Sequence, residues 1–328
     1  MPDSKSGPER LDAFMARAAA AYYAKGEGIG RDFTTAPEMS QAFGECLGLW
    51  AAVTWQAMGA PGRVILAELG PGRGTLMADA LRAVDQMMPD FGRALELHLV
   101  ETSPRLRAAQ AEKLGGRVAA WHADVADLPD GPAILLANEF FDALPIRQFV
   151  KRGNDWRERF VDGAGFVEHA AGDMGEGPDG SILEISEASR DIASTLGQRL
   201  ATQGGAALIL DYGPAESGIG DTLQALRDSA PCDPLADPGE ADITAHVDFA
   251  ALAAAAPVAA HGPLPMGLFL QRLGLMARSA MLAQSAPAQA GAILSAAQRL
   301  VAPEGMGRLF KALVLAHPGL PTPIGFEA

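Results

Sequence analysis

A single glycine run and a set of acidic residues placed after apolar strands carry the chemistry of this sequence. The run VILAELGPGRGTL, from Val64 to Leu76, joins an apolar strand, an acid at Glu68 and three close-set glycines, Gly70, Gly72 and Gly74, to the start of a helix. Glycines at such a turn bend the backbone sharply and let a ligand approach the main chain with no Cβ in the way. Dinucleotide sites space their glycines G-x-G-x-x-G and rest a pyrophosphate on a helix N-terminus. Here the spacing is G-P-G-R-G with an acid two residues upstream. That pattern suits S-adenosylmethionine better, because this cofactor has no phosphate and carboxylates accept hydrogen bonds from its ammonium and hydroxyl groups. The competing reading is a strand-turn-helix whose glycines serve packing alone.

Ligands of a parallel sheet lie beyond the carboxyl ends of its strands. Glu68, Glu101 in LHLVE, Asp124 in WHADV, and Asn138 and Glu139 in ILLANEFFDALP all fall at such ends. The two oxygens of Glu101 match the vicinal diol of a ribose; Asp124 suits an adenine amino group, with Val125 or Trp121 over a ring face. Each of these two acids has an alternative role as a helix N-cap. Between Glu139 and Asp142 stand Phe140 and Phe141. Carboxylates beside aromatic faces hold guanidinium or ammonium groups by paired hydrogen bonds and cation–π contact, so Glu139 and Asp142 are expected to orient a methyl-acceptor nitrogen. The alternative makes them caps of a following helix, with the phenylalanines in the core. Asp211, after a later strand, and His246, beside a loop, are expected to assist proton loss. His98 lies inside an apolar strand and reads as a core histidine, whereas His122 flanks a loop. No G-x-S-x-G, HExxH, Walker loop or Cys/His cluster occurs, so neither serine-hydrolase nor metal chemistry is expected.

These residues need a frame. From Val64 the pattern alternates: strand 64–68, helix 75–88, strand 95–100, helix 103–114, a short strand near 118–121, and strand 133–137. This implies an α/β fold with a doubly wound parallel sheet. Upstream, Leu11 to Ala24 reads as a helix and Met39 to Met58 as a buried one, with Thr35 as N-cap and Pro37 and Glu38 in the first turn. Residues 1–60 therefore form an N-terminal helical extension before a main domain at 61–328. Within it, QFVKRGNDWRERFVDGAGFVEHA alternates, with turn signals at Gly153-Asn154 and Asp162-Gly163, giving antiparallel hairpins in an inserted subdomain over about 145–205. A helix at 187–203 follows, and AALILDY from Ala206 resumes the sheet. The Gly/Pro-rich stretch 213–243 is too long for a simple connection and is expected to be a functional loop. The remainder reads as helix 247–255, strand 256–260, helices 266–283 and 289–300, and strand 308–316.

With 328 residues, 48% of them hydrophobic, the chain can bury a large core. Its 26 basic against 40 acidic residues give a net charge of −14, which disfavours nucleic acid and anionic membranes and matches a basic partner. Cys46 and Cys232 stand apart and read as reduced thiols, so a cytoplasmic setting is expected. The first residues read as an amphipathic helix and not a signal, and no uncharged apolar run is long enough to span a bilayer.

The chain resembles the MidA-type family of mitochondrial complex I assembly factors and their bacterial relatives. The resemblance rests on DFTTAPEMSQAFGE (Asp32 to Glu45), ELGPGRGTL, LVETSPRLRAAQ (Leu99 to Gln110), ANEFFDALPIRQF (Ala137 to Phe149), LDYG (Leu210 to Gly213), GDTLQALR (Gly220 to Arg227), PGEADITAHVDF (Pro238 to Phe249) and GRLFKALV (Gly307 to Val314). It implies a Rossmann-like class I methyltransferase that uses S-adenosyl-L-methionine and dimethylates an arginine of a protein, a core complex I subunit in the mitochondrial members. It also places the cofactor loop on Gly70, Gly72 and Gly74 with Glu68, the ribose acid on Glu101, and the family's NEFFDALP signature on Asn138 to Pro145. The DFTT-PE segment, with Thr34 and Pro37, is expected to fold over the cofactor. Arg31, Met266 and Glu187 depart from the family pattern, and Met266 replaces a polar residue that would bear on the acceptor. Two further readings stand beside protein arginine methylation: an assembly factor that keeps the cofactor fold as a scaffold, and a small-molecule methyltransferase.

Overall fold

The computed structural model describes residues 7–25 and 34–327. Its centre is a seven-stranded sheet made of β1 (Val64–Leu69), β2 (Leu95–Val100), β3 (Val118–His122), β4 (Ala133–Asn138), β5 (Gly205–Tyr212), β6 (Ala259–Pro265) and β7 (Phe310–Ala316). The strand order is β3-β2-β1-β4-β5-β7-β6. Strands β1 to β5 pair in parallel, and β7 runs antiparallel to both β5 and β6. The order reverses between β1 and β4, which opens a crevice at their carboxyl ends. Every residue of β1 and β4 is buried, because both faces of the sheet are covered, and this is why both strands read as unbroken apolar runs.

The helices that matter to the site are α1 (Leu11–Lys25), α2 (Gln41–Ala57), α3 (Thr75–Met87), α4 (Pro104–Leu114) and α5 (Glu187–Gln203). On one face, Phe43, Leu47 and Trp50 of α2 share a core with Met77, Ala80 and Val84 of α3 and with Leu66 and Leu136 of the sheet. Helices α2 and α3 meet closely: a Cβ on Gly48 would lie 2.6 Å from the Ala80 carbonyl oxygen. On the other face, Ile65, Leu135 and Ile209 pack with Leu196 and Leu200 of α5 and with Phe249 and Leu252.

The alternating segment after β4 folds as antiparallel strands at 147–152, 155–162, 165–170 and 182–185, and Glu9–Arg10 pairs with the second of them. Gly153 and Gly163 take the positive φ that the two tight turns require. The stretch 213–243, expected as a long loop, instead contributes to a three-stranded antiparallel sheet of 224–227, 230–232 and 242–244. The cause is burial: Ala225, Leu235 and Ile243 form a small core with Leu11, Phe14, Met15 and Ala18 of α1 and with Ile146 and Val161. Two further elements differ from expectation. The strand expected at 256–260 lies at Ala259–Pro265, and the helix expected over 266–283 breaks at Gly274, whose φ of 81° starts a second helix, Leu275–Ser285.

Candidate functional site

A cavity of about 430 Å³ lies at the carboxyl ends of β1, β2 and β4. Glu68, Gly70, Gly72, Glu101, Asp124, Asn138 and Glu139 all line it, so strands distant in sequence deliver their terminal residues to one place. Gly70, Gly72 and Gly74 have φ of 62°, 52° and 76°, the left-handed region that a side chain resists. A Cβ on Gly70 would meet Phe140 Cδ2 at 2.9 Å, so the cradle is closed by the phenylalanine. Gly74, expected at the cofactor, lies outside the lining; it ends the loop as the left-handed residue ahead of α3.

Burial, reinforced by repulsion from Glu101, pushes the Glu68 carboxyl up to about 8. Its Oε2 is buried without a hydrogen-bond partner among the described residues. An acid in that state, on a cavity wall beside a glycine turn, fits an incoming ammonium group. Glu101 is raised by burial as well; its Oε1 accepts Ser103 N–H at 2.8 Å and its Oε2 accepts Gln110 Nε2–H at 3.3 Å. Asp124 serves two ends, since Oδ1 accepts Ala126 N–H at 2.9 Å as the cap of a short turn and the residue also lines the cavity. Val125 lines the cavity but Trp121 does not; its indole N–H is given to Gln110 Oε1 at 2.8 Å. His98 is buried, and its Nδ1 lies 2.9 Å from His122 Nε2.

The acceptor-side residues separate into two groups. Glu139 opens onto the cavity and sits at the left-handed φ of 49°. Burial and the neighbouring Asp142 raise its carboxyl to about 8, and its Oε1 accepts Ala36 N–H at 3.1 Å and Asn138 Nδ2–H at 3.2 Å. Asp142, Asp211 and His246 do not reach the cavity. Asp142 is buried behind Glu139, its carboxyl raised to about 6 by desolvation. Asp211 is fully buried, and its Oδ2 accepts the N–H groups of Phe140, Phe141 and Asp142 at 3.2, 2.9 and 3.3 Å. It holds the turn that presents Glu139, its Oδ1 takes Tyr212 N–H, and its complete burial keeps it from a substrate. His246 lies against a separate small cavity with Phe141 and Glu184. Phe140 faces the main cavity while Phe141 is core, so the two adjacent rings, edge-on at 5.3 Å, divide the cavities.

The cavity is closed from the other side by a helix that the motifs did not single out, together with part of the DFTT-PE segment, which they did. Ala16, Ala19, Ala20 and Tyr23 of α1 line it, with Thr35, Pro37 and Glu38. The run ARAAAAYY, from Ala16 to Tyr23, carried this signal, since alanines three and four apart share one helix face and leave room beside it. Tyr23 donates to Asp242 Oδ1 at 2.8 Å, and Thr75 donates to Glu38 Oε1 at 2.6 Å, tying this wall to the sheet side. Thr34 is exposed and outside the lining, because the chain turns into the short helix Ala36–Met39 at Thr35. Thr35 makes no side-chain cap bond; its carbonyl accepts Glu38 and Met39 N–H. Arg31, Asp32 and Phe33 lie outside the described residues.

Residues 46–264 match the model of a family described as "Putative S-adenosyl-L-methionine-dependent methyltransferase". The chain belongs to this family. The methyltransferase is 35% identical to the mitochondrial protein arginine methyltransferase NDUFAF7 of Danio rerio, over 88% of this chain and 78% of that protein. With the Homo sapiens protein of the same name the identity is 33%, over 94% and 79%. Among solved structures, a Burkholderia thailandensis protein bound to S-adenosyl-homocysteine matches with a TM-score of 0.82 and 27% identity, covering 97% of this chain and 90% of that one. The cofactor of the methyltransferase is S-adenosyl-L-methionine, and the orphaned Glu68 oxygen and the Gly70 cradle fit it. Of the departures from the family pattern, Met266 is fully buried in the core and does not line the cavity. Glu187 pairs with Arg147 at 2.7 Å on the surface. No helix among the described residues is long and apolar enough to cross a membrane.

Proposed function

We propose that this methyltransferase modifies a guanidinium nitrogen of an arginine on a partner protein. The observation that carries the reading is the group of carboxylates at the ends of β4 and β5. Burial raises the proton affinity of Glu139, Asp142 and Asp211, Asp142 raises that of Glu139 and of Asp211 further, and none of the three makes an ion pair with a described residue. An arriving guanidinium offsets that repulsion and returns Glu139 to its charged form. Since Oε1 of Glu139 takes both of its hydrogen bonds among the described residues, Oε2 is the oxygen that accepts a guanidinium N–H. Asp211 and Asp142 act on the acceptor only through the position and charge of Glu139.

Glu68, Gly70, Gly72, Glu101, Asp124, Asn138 and Pro37 would hold S-adenosylmethionine. When bound, it supplies an electrophilic methyl group to the acceptor nitrogen. Glu139 then orients that nitrogen and takes the proton it sheds, while the α1 wall keeps water away, so proximity and orientation account for most of the rate. The names of the relatives and the net charge of −14, which favours a basic segment, both support a protein arginine as acceptor. The resemblance to complex I assembly factors supports a core complex I subunit as the partner. The test is to incubate the protein with isotopically labelled methyl donor and partners recovered by pull-down, then locate the label by mass spectrometry. Label on arginine that is lost in Glu139→Gln supports the reading. Partner binding with no label in either protein supports a scaffold instead.

A further inference from the structure

LVETSPRLRAAQ ends at Gln110, in the middle of α4. This side chain is fully buried and does not line the cavity, yet it bonds to two parts of the cavity wall and to Trp121 behind it. Its Nε2 donates to the Gly72 carbonyl at 2.7 Å and to Glu101 Oε2 at 3.3 Å, and its Oε1 accepts the Trp121 indole N–H at 2.8 Å. The stem reaches the same loop, for a Cβ on Gly74 would lie 3.5 Å from Gln110 Cγ. An indole nitrogen only donates, a carbonyl and an ionised carboxylate only accept, and a carboxamide has one oxygen and one NH₂. Trp121 therefore dictates which way the amide faces, and the NH₂ is committed to the glycine loop and to Glu101.

We infer that Gln110 is a positioning residue for cofactor binding: one carboxamide, locked by Trp121, sets the glycine loop and the Glu101 carboxylate in register with each other. The loop follows β1 and Glu101 follows β2, and both face the ligand. Gln110 joins them from behind. It also keeps one Glu101 oxygen turned toward the loop while Ser103 N–H holds the other. With Gln110 removed, Gly72 and Glu101 lose a common donor inside the protein and the two halves of the cradle move independently.

The experiment is a calorimetric titration of S-adenosylhomocysteine into wild type, Gln110→Met, Glu101→Gln and the double variant. Methionine keeps the length and packing of the stem. The expected result is a Kd about tenfold or more above wild type for Gln110→Met, with the ligand-free Tm lowered by no more than about 4 °C, so that the protein is folded in the titration. In the Glu101→Gln background the same substitution is expected to cost at least about threefold less, because the two residues act as one unit. A Kd within about twofold of wild type, or two effects that multiply independently, overturns the inference. Should Gln110→Met fail to fold, Trp121→Phe replaces it in the same cycle. Freeing the amide to turn is expected to weaken S-adenosylhomocysteine and to couple to Glu101→Gln in the same way; no weakening overturns the lock.

Discussion

Glu139→Gln is expected to stabilise the ligand-free protein at alkaline pH while abolishing methyl transfer. The Glu139 carboxyl is raised from 4.5 to about 8 in the folded chain, first by burial and then by Asp142. Unfolded, it gives up its proton near 4.5; folded, it keeps it until about 8. The native state thus holds the extra proton across that interval, so the destabilisation by this carboxyl is absent below it, grows as pH rises through it, and is complete above it. Each pH step is worth about 1.36 kcal/mol, which sets a ceiling near 5 kcal/mol. Glu139 opens onto a cavity, and solvent there screens the charge, so roughly 2 kcal/mol is the expected loss. Glutamine keeps the oxygen that accepts from Ala36 and Asn138 and cannot ionise. Thermal unfolding followed from pH 5 to pH 9 should show the variant melting about 2–4 °C above wild type at pH 9 and level with it at pH 5. A difference that does not change with pH, or a variant less stable at pH 9, refutes the argument.

Gly70→Ala forces a Cβ to 2.9 Å from Phe140 at a φ of 62°. Calorimetry should find S-adenosylmethionine binding weakened by about tenfold or more, from roughly 1–2 kcal/mol of backbone strain added to the displaced ring. Asp211→Asn sets an NH₂ group against backbone N–H donors on one side or the other. Denaturant unfolding should register a loss of about 2–3 kcal/mol, and methyl transfer should fall through the misplaced Glu139. Arg278→Met leaves Glu45, 2% exposed, without the guanidinium whose Nε lies 2.6 Å from its Oε2. The cost should be about 3 kcal/mol in the same assay, and Glu45→Gln in the Arg278→Met background should recover part of it.

The cofactor side was legible because of how parallel sheets are built. Strands buried on both faces write continuous apolar runs, and parallel strands end on one edge, so Glu68, Glu101, Asp124 and Asn138 converge without any long-range information. The same rule fails for Asp142 and Asp211. A place after a strand fixes the edge of the sheet but not the direction of the side chain, and the turn after β4 needed an acceptor for three successive N–H groups. Asp211 satisfies that need and so lies beneath the site. His246 was misplaced for a related reason, since the partition made by Phe140 and Phe141 depends on two adjacent rings pointing apart. Gly74 looked equivalent to Gly70 and Gly72, yet it belongs to the start of α3. The α1 wall left only the spacing of its alanines in the sequence, and the small sheet from 213–243 left less, because their contacts join residues far apart in sequence.

That wall sets an order of events as the protein is made. Helix α1 buries Leu11, Phe14, Met15 and Ala18 against Ile146, Val161, Ala225, Leu235 and Ile243, and Tyr23 bonds to Asp242, 219 residues further on. At about 5–20 residues per second, the ribosome takes roughly 10–40 s to deliver the last of these partners. A helix of 15 residues is marginal alone in water, so until Ile146 and Val161 emerge its apolar face lacks every one of these partners, and until Ile243 emerges its seat is incomplete. The β1–β4 core can assemble meanwhile, leaving a cradle open to solvent. The wall over the cofactor is therefore synthesised early and seated late, and a nascent-chain chaperone or premature aggregation would act on α1 before the cavity exists.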